Sequence, residues 1–106
     1  MKITRIEDYF RGWFVGNFEP TSFKSENFEV GLLQHKKGEI WSPHIHKIAT
    51  EINLLIEGEM TIQGKKLVSG DVFVIDPYEI ADPIFHTDCK LVVIKTPSLP
   101  GDKYNV

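Results

Sequence analysis

Gly38-Glu39-Ile40-Trp41-Ser42-Pro43-His44-Ile45-His46-Lys47-Ile48-Ala49-Thr50-Glu51, with Gly58 following after six further residues, is the stretch on which the fold turns. Successive side chains of a strand leave opposite faces, so His44 and His46 share a face if this segment is extended. Pro43, just before them, favours extended backbone over helix. Glu51 opens the next apolar run after a short loop, so an antiparallel return can carry its carboxylate back toward the two imidazoles. Two neutral imidazoles and one carboxylate make a facial set of three ligands suited to Fe(II), Mn(II), Ni(II), Zn(II) or Cu(II). Three protein ligands leave positions open for water, dioxygen or a chelating substrate. His44, His46 and Glu51 are therefore the candidate ligands of a divalent transition metal.

A His-x-His pair alone says little, because two histidines on a barrel rim are more often surface residues. The spacing around this pair says more. From Gly38 through His44, His46 and Glu51 to Gly58, the chain resembles the first motif of the cupin superfamily at every constrained position. In that motif the glycines serve turns and the His, His and Glu serve the metal. The resemblance implies a small antiparallel jelly-roll β-barrel with the site inside it, spanning about Phe28 to Ile94. The second motif is half present: Gly70-Asp71-Val72-Phe73-Val74-Ile75-Asp76-Pro77 is similar to its opening strand and turn. The histidine that the family places eleven residues after that glycine, as a fourth ligand, is Ala81 here. Glu79, Asp82 and His86 are the nearby residues able to substitute, or to act as general acid or base. Asp82 and His86 have the wrong strand parity unless the chain bulges near Pro83, so an open three-ligand site completed by water is expected.

The rest of the chain reads as all-β. Short runs rich in Val, Ile, Phe and Trp are separated by turn residues. They are Trp13–Val15, Phe28–Gln34, Glu51–Ile56, Met60–Ile62, Lys66–Val68, Val72–Ile75 and Leu91–Ile94, and only residues 3–10 could form a helical turn. One domain is expected, with residues 1–27 as an N-terminal extension and first strand, 28–95 as the core barrel and 96–106 as an irregular tail. In the run from Glu51 to Glu57, one face carries Glu51, Asn53, Leu55 and Glu57, and the other Ile52, Leu54 and Ile56. Strands apolar on both faces in so small a domain need a second covering layer, which a partner subunit can supply, so a homodimer is expected.

Trp41 and Tyr78 flank the two ligand-bearing turns and are expected at a pocket mouth, while Asn53 shares the face of Glu51 and can bond a ligand. His35 reads as a surface residue and Cys89 as an inert thiol without an activating base. With a net charge of −3 and scattered Lys and Arg, the chain lacks the concentrated positive charge of a nucleic-acid or anionic-membrane surface. A single cysteine, an N-terminus without an apolar signal region and no bilayer-length apolar run make a cytoplasmic location the expectation. Neither a Gly-rich phosphate loop nor a Gly-x-Ser-x-Gly elbow is present.

Residues 11–18 and 97–104 resemble the ends of small stand-alone bacterial and phage cupins, some of them from carbohydrate-related settings. The expected function is therefore a metal-dependent isomerase, epimerase or oxygenase acting on a small polar substrate, carbohydrate among the options, with Fe, Mn, Ni or Zn as the metal. Two alternatives stand beside it: a non-catalytic small-molecule binding or sensing module, and a metal-free isomerase or epimerase in which His46 and a carboxylate move protons. The fold alone does not choose among them.

Overall fold

Turn residues cut the chain into eleven short strands in the computed structural model, which describes all residues 1–106. They are β1 Trp13–Gly16, β2 Phe23–Lys24, β3 Glu29–His35, β4 His44–Ile45, β5 Thr50–Glu57, β6 Glu59–Ile62, β7 Lys65–Val68, β8 Val72–Ile75, β9 Ile84–Phe85, β10 Cys89–Thr96 and β11 Tyr104–Asn105. Two single 3-10 turns, Ile6–Asp8 and Phe10–Gly12, precede them, and no helix is long and apolar enough to cross a membrane. The tightest reversal joins β6 to β7 through Gln63 and Gly64, whose φ of 50° and 71° fit a two-residue hairpin turn.

A six-stranded sheet in the order β2-β1-β3-β10-β5-β8 forms one wall. Opposite it lie a three-stranded sheet, β7-β6-β9, and a two-stranded sheet, β11-β4, which Ala81 extends by bridging to His44. The walls pack face to face: Met60, Ile62 and Phe85 from the small sheet share one buried cluster with Leu55, Ile75, Leu91 and Val93 from the large one. This is an antiparallel jelly-roll barrel, as expected.

Strand alternation decides what enters the barrel. Along β10 the inward residues are Cys89, Leu91, Val93 and then Lys95; along β5 they are Leu55, Asn53 and Glu51. The interior is thus apolar at one end and charged at the other. On β5 the all-apolar face points outward, leaving Leu54 and Ile56 exposed beside Val72 and Val74 of β8.

Two expectations are corrected here. The tail is irregular only as far as Lys103: β11 then returns to pair with β4, setting Tyr104 opposite Ile45 and Asn105 opposite His44. Nor does β5 pair with the histidine strand, because β5 takes β10 and β8 as neighbours while β4 takes β11 and Ala81. The imidazoles and Glu51 therefore come from opposite walls.

The two motif glycines differ in their surroundings. A Cβ on Gly58 (φ 106°) meets the Asp88 carbonyl, with the Cys89 Sγ 2.7 Å away, whereas a Cβ on Gly38 (φ 75°) meets nothing within 4 Å. Gly58→Ala is expected to cost about 2–3 kcal/mol, from the disallowed backbone and the displaced strand, and Gly38→Ala about 1 kcal/mol. Denaturant melts of the two variants check this, and equal losses would contradict it.

Candidate functional site

At the charged end of the large sheet, Lys95 pairs with Glu29 on one side and Glu51 on the other, and Glu51 pairs with Ile75. The row across the wall is therefore acid, base, acid. Glu29 is buried and accepts from Ser98 Oγ at 3.2 Å, while Glu51 is half-buried. These residues line a cavity of about 1010 Å³ together with His44, His46, Asn53 and Trp41.

His44 and His46 face this row from the opposite wall and are 8% and 2% exposed. Their backbone is held on both sides. Ala81 exchanges hydrogen bonds with His44 (3.1 and 2.8 Å), and Tyr78 N–H donates to the His46 carbonyl at 2.7 Å. The loop leading to Glu51 is clamped from far along the chain: buried Asp102 accepts from the backbone N–H of Lys47 (3.0 Å), Ile48 (3.1 Å) and Ala49 (2.8 Å).

The side chains are set for chemistry. His44 Nδ1 lies 3.2 Å from the Ser42 carbonyl, an acceptor only, so Nδ1 carries the proton and Nε2 keeps its lone pair. His46 Nε2 is buried with no hydrogen-bond partner, as is Asn53 Nδ2. Buried polar atoms are normally paired, so two orphans lining one cavity mark a place for a ligand. Burial, followed by the nearby Lys95 charge, pushes His46 down to about 4, and burial likewise lowers His44, so both rings are neutral at pH 7. Burial acts oppositely on Glu51, raising it, with Lys95 partly offsetting the shift.

His44, His46 and Glu51 all line this one cavity, the imidazoles from one wall and the carboxylate from the facing one. The imidazole centroids are 5.4 Å apart, but no group of three or more His, Cys, Asp or Glu side chains is arranged to hold a metal. The strand order puts Glu51 across the barrel from the imidazoles and beside Lys95. Ala81 contributes no donor either, being buried in the core opposite His44. Two neutral imidazoles and one carboxylate lining the same cavity are a donor set of the kind a divalent ion takes.

Trp41 and Asn53 do line the cavity. Tyr78 does not; the residue is 65% exposed on a backbone with φ 70°. Glu79, Asp82 and His86 also lie outside the cavity and are used structurally. Glu79 accepts from Asp76 N–H at 2.7 Å, Asp82 accepts from Gln63 N–H at 2.7 Å, and His86 Nε2 lies 2.7 Å from Thr61 Oγ1. The chain makes turn and edge contacts there instead of the bulge that would aim them inward.

His35 is not a surface residue: its side chain is 11% exposed, stacks on Phe85 at 4.3 Å and lines the cavity. Its Nδ1 lies 2.6 Å from Glu39 Oε2, which also accepts from Trp41 Nε1 at 2.6 Å. Burial raises the Glu39 carboxyl, and the hydrogen bonds from Trp41 and His35 more than reverse this. Sequence reasoning passed over Glu29, Lys95, Asp102 and Lys103. Lys95 alone had a local signal, since it carries a charge at the inward parity of Leu91 and Val93.

No protein-family model matches the chain, and no curated protein matches its sequence. Solved structures do match. A Klebsiella pneumoniae conserved protein with a double-stranded β-helix domain has a TM-score of 0.72 at 16% identity, covering 99% of this chain and 91% of its own. Ectoine synthase from P. lautus has a TM-score of 0.68 at 16% identity, covering 100% and 90%. Pac13, a nucleoside dehydratase, has a TM-score of 0.65 at 10% identity, covering 77% and 70%. Cupin-domain proteins are also among the matching structures.

Proposed function

This chain is a cupin by fold, and from that premise we propose that it is a small-molecule enzyme that moves protons inside the barrel, of the lyase or isomerase kind. The observation that carries the reading is His46, a neutral imidazole lining the cavity whose buried Nε2 makes no hydrogen bond within the protein. A group in that state is available to a substrate without first breaking a bond. His46 acts as the proton acceptor and Glu51, pushed by burial toward its protonated form, as the donor from the facing wall. His44, oriented by the Ser42 carbonyl, presents a second acceptor, and Asn53 Nδ2 supplies a donor to a polar substrate. Two structurally similar proteins bear enzyme names, a synthase and a dehydratase, which supports an enzyme over a passive binder. A small polar molecule, carbohydrate among the options, suits the mixed lining.

A panel of small polar metabolites, screened by thermal shift and then by product analysis in the presence of a chelator, tests the reading. Turnover that survives the chelator is expected. Recovery of every stabilising compound unchanged would make the protein a binding or sensing module instead.

A second reading has its own support in the partnerless His46 Nε2 and the His44 tautomer. A divalent ion (Fe, Mn, Ni or Zn) held by His44 and His46 would be completed by Glu51 once that side chain is turned away from Lys95. Protein purified without chelator would then carry about one metal per chain and gain thermal stability from added ion.

We also propose the homodimer. Leu54, Ile56, Val72 and Val74 form an exposed apolar patch on the outside of the large sheet, with no helix to cover it. A flat patch of this kind can meet its own copy across a two-fold axis. Val74→Glu is expected to shift a dimeric mass to a monomeric one in light scattering while keeping a native melt; a monomeric wild type would end this proposal.

A further inference from the structure

Three cations line the cavity and none of them forms an ion pair within the protein. Arg11 and Lys103 are exposed cavity-lining residues and so stand at its mouth, while Lys95 lies half-buried within. The ion pairs of the molecule are Arg5–Glu7, Lys24–Glu19, His35–Glu39 and Lys36–Asp88, and none involves these three. Each stands over an aromatic face, and Lys95 lies between its cross-strand neighbours Glu29 and Glu51 without forming an ion pair. Arg11 Cζ and Lys103 Nζ stand 4.9 and 4.2 Å from the centroid of Trp41, and Lys95 Nζ stands 5.0 Å from that of Trp13.

Most of the cavity carboxylates have their oxygens engaged elsewhere. Glu7 and Glu19 are paired with Arg5 and Lys24; Glu39 is bonded by His35 and Trp41, Asp102 by three backbone N–H groups, and Glu29 by Ser98. Glu51 is left; burial raises its pKa while the Lys95 and Lys103 charges act against the shift, and it forms no ion pair with either. Burial, then the Lys95 and Arg11 charges, lower the pKa of Lys103, with Glu51 only partly offsetting them, so the cations repel one another. Like charges held together over indole rings, with no ion pair to any of them, are arranged for an anion to be brought in from outside.

We infer that the molecule taken into the barrel is anionic, its carboxylate or phosphate group being received by Lys103, Lys95 and Arg11 against the Trp41 and Trp13 rings. This rests on the reading of the cavity as a substrate site and adds the substrate class. Lys95 is the cross-strand neighbour of Glu51, and Lys103 follows the residue that clamps the loop between His46 and Glu51. An anion held there leaves the rest of the molecule facing the imidazoles.

The two indoles are the only tryptophans of the chain, so intrinsic fluorescence reports on the site directly. Wild-type protein titrated with inorganic phosphate and with malonate, at ionic strength held constant by chloride, is expected to give a saturable change with at least one of them. Which anion saturates at the lower concentration tells phosphate from carboxylate chemistry. Lys95→Gln/Lys103→Gln, which keeps the side-chain stems, is expected to weaken binding at least tenfold, and the double arginine variant to retain it. Glucose is expected to give no response. Unchanged anion binding in the glutamine variant, or a response to glucose and to neither anion, would overturn the inference. The arginine variant guards against misfolding: loss in both variants with a lowered melt would be followed by Lys103→Gln alone, for which undiminished binding is again fatal. His46→Leu separates the two proposals, since it is expected to keep anion binding within about threefold while abolishing turnover. Intact anion binding without turnover by the wild type sinks the enzyme reading alone.

Discussion

Replacing Asp102 with alanine is expected to cost about 4 kcal/mol of stability, a large share of the ~5–15 kcal/mol typical of a domain. Both carboxylate oxygens are committed, accepting from the N–H groups of Lys47, Ile48 and Ala49 at 3.0, 3.1 and 2.8 Å. Asp102 is 6% exposed, so water cannot freely replace the oxygens, and each stranded donor costs roughly 1–3 kcal/mol. In a domain of this size the melting temperature should fall by roughly 15 °C or more. Asp102→Asn keeps one acceptor oxygen and should lose less. A drop of under 5 °C in Asp102→Ala would show that the clamp contributes little.

The same residue gives a pH signature. Burial raises the Asp102 carboxyl, but the backbone donors from Ala49, Lys47 and Ile48 more than reverse this, leaving it below its ordinary 3.8. A carboxyl with a depressed folded pKa contributes stability that is full above the unfolded value and lost as pH falls through the folded one. Stability should therefore fall below about pH 3.8 in the wild type and less steeply in Asp102→Ala. His46 acts at higher pH: lowered from 6.5 to about 4, it makes the folded state bind its proton less readily, so stability should already decline between those values in both proteins.

His46→Leu is expected to lower turnover by roughly 10²–10⁴-fold, the usual contribution of a positioned acid or base. The variant should nevertheless fold as well as the wild type, or better. The wild-type Nε2 makes no hydrogen bond, so leucine removes a buried unsatisfied atom and breaks nothing. A structural histidine would show the opposite pattern, with stability lost and residual activity following the folded fraction. Stability held with turnover lost is the pattern of a group kept for its chemistry. Activity within tenfold of wild type in a fully folded His46→Leu would remove His46 from the mechanism.

Some of the site was legible because its information is local. The spacing from Gly38 to Gly58 placed His44 and His46 on one strand and Glu51 on the next, and the alternation along β5 set Asn53 beside Glu51. Trp41 flanking the histidines was legible for the same reason. Glu79, Asp82 and His86 were nominated by nearness in sequence to Ala81, yet the turn after β8 spends them on Asp76, Gln63 and Thr61. His35 looked like a strand end in water until Phe85 and Glu39 closed over it.

Periodicity and the fixed spacing of turn residues are properties of neighbours along the chain, and they sufficed for a jelly roll, for two histidines facing inward and for a carboxylate inside the same barrel. Whether the three converge depended on which strands become neighbours. That is a long-range outcome: β5 lies between β10 and β8, and β4 between β11 and Ala81. The tertiary structure alone brought Lys95 beside Glu51 and folded the tail back, so that Asp102 clamps the ligand loop and Lys103 stands at the mouth. The contacts between Asp102 and the loop span more than fifty residues of sequence, and no local pattern encodes a partner at that distance.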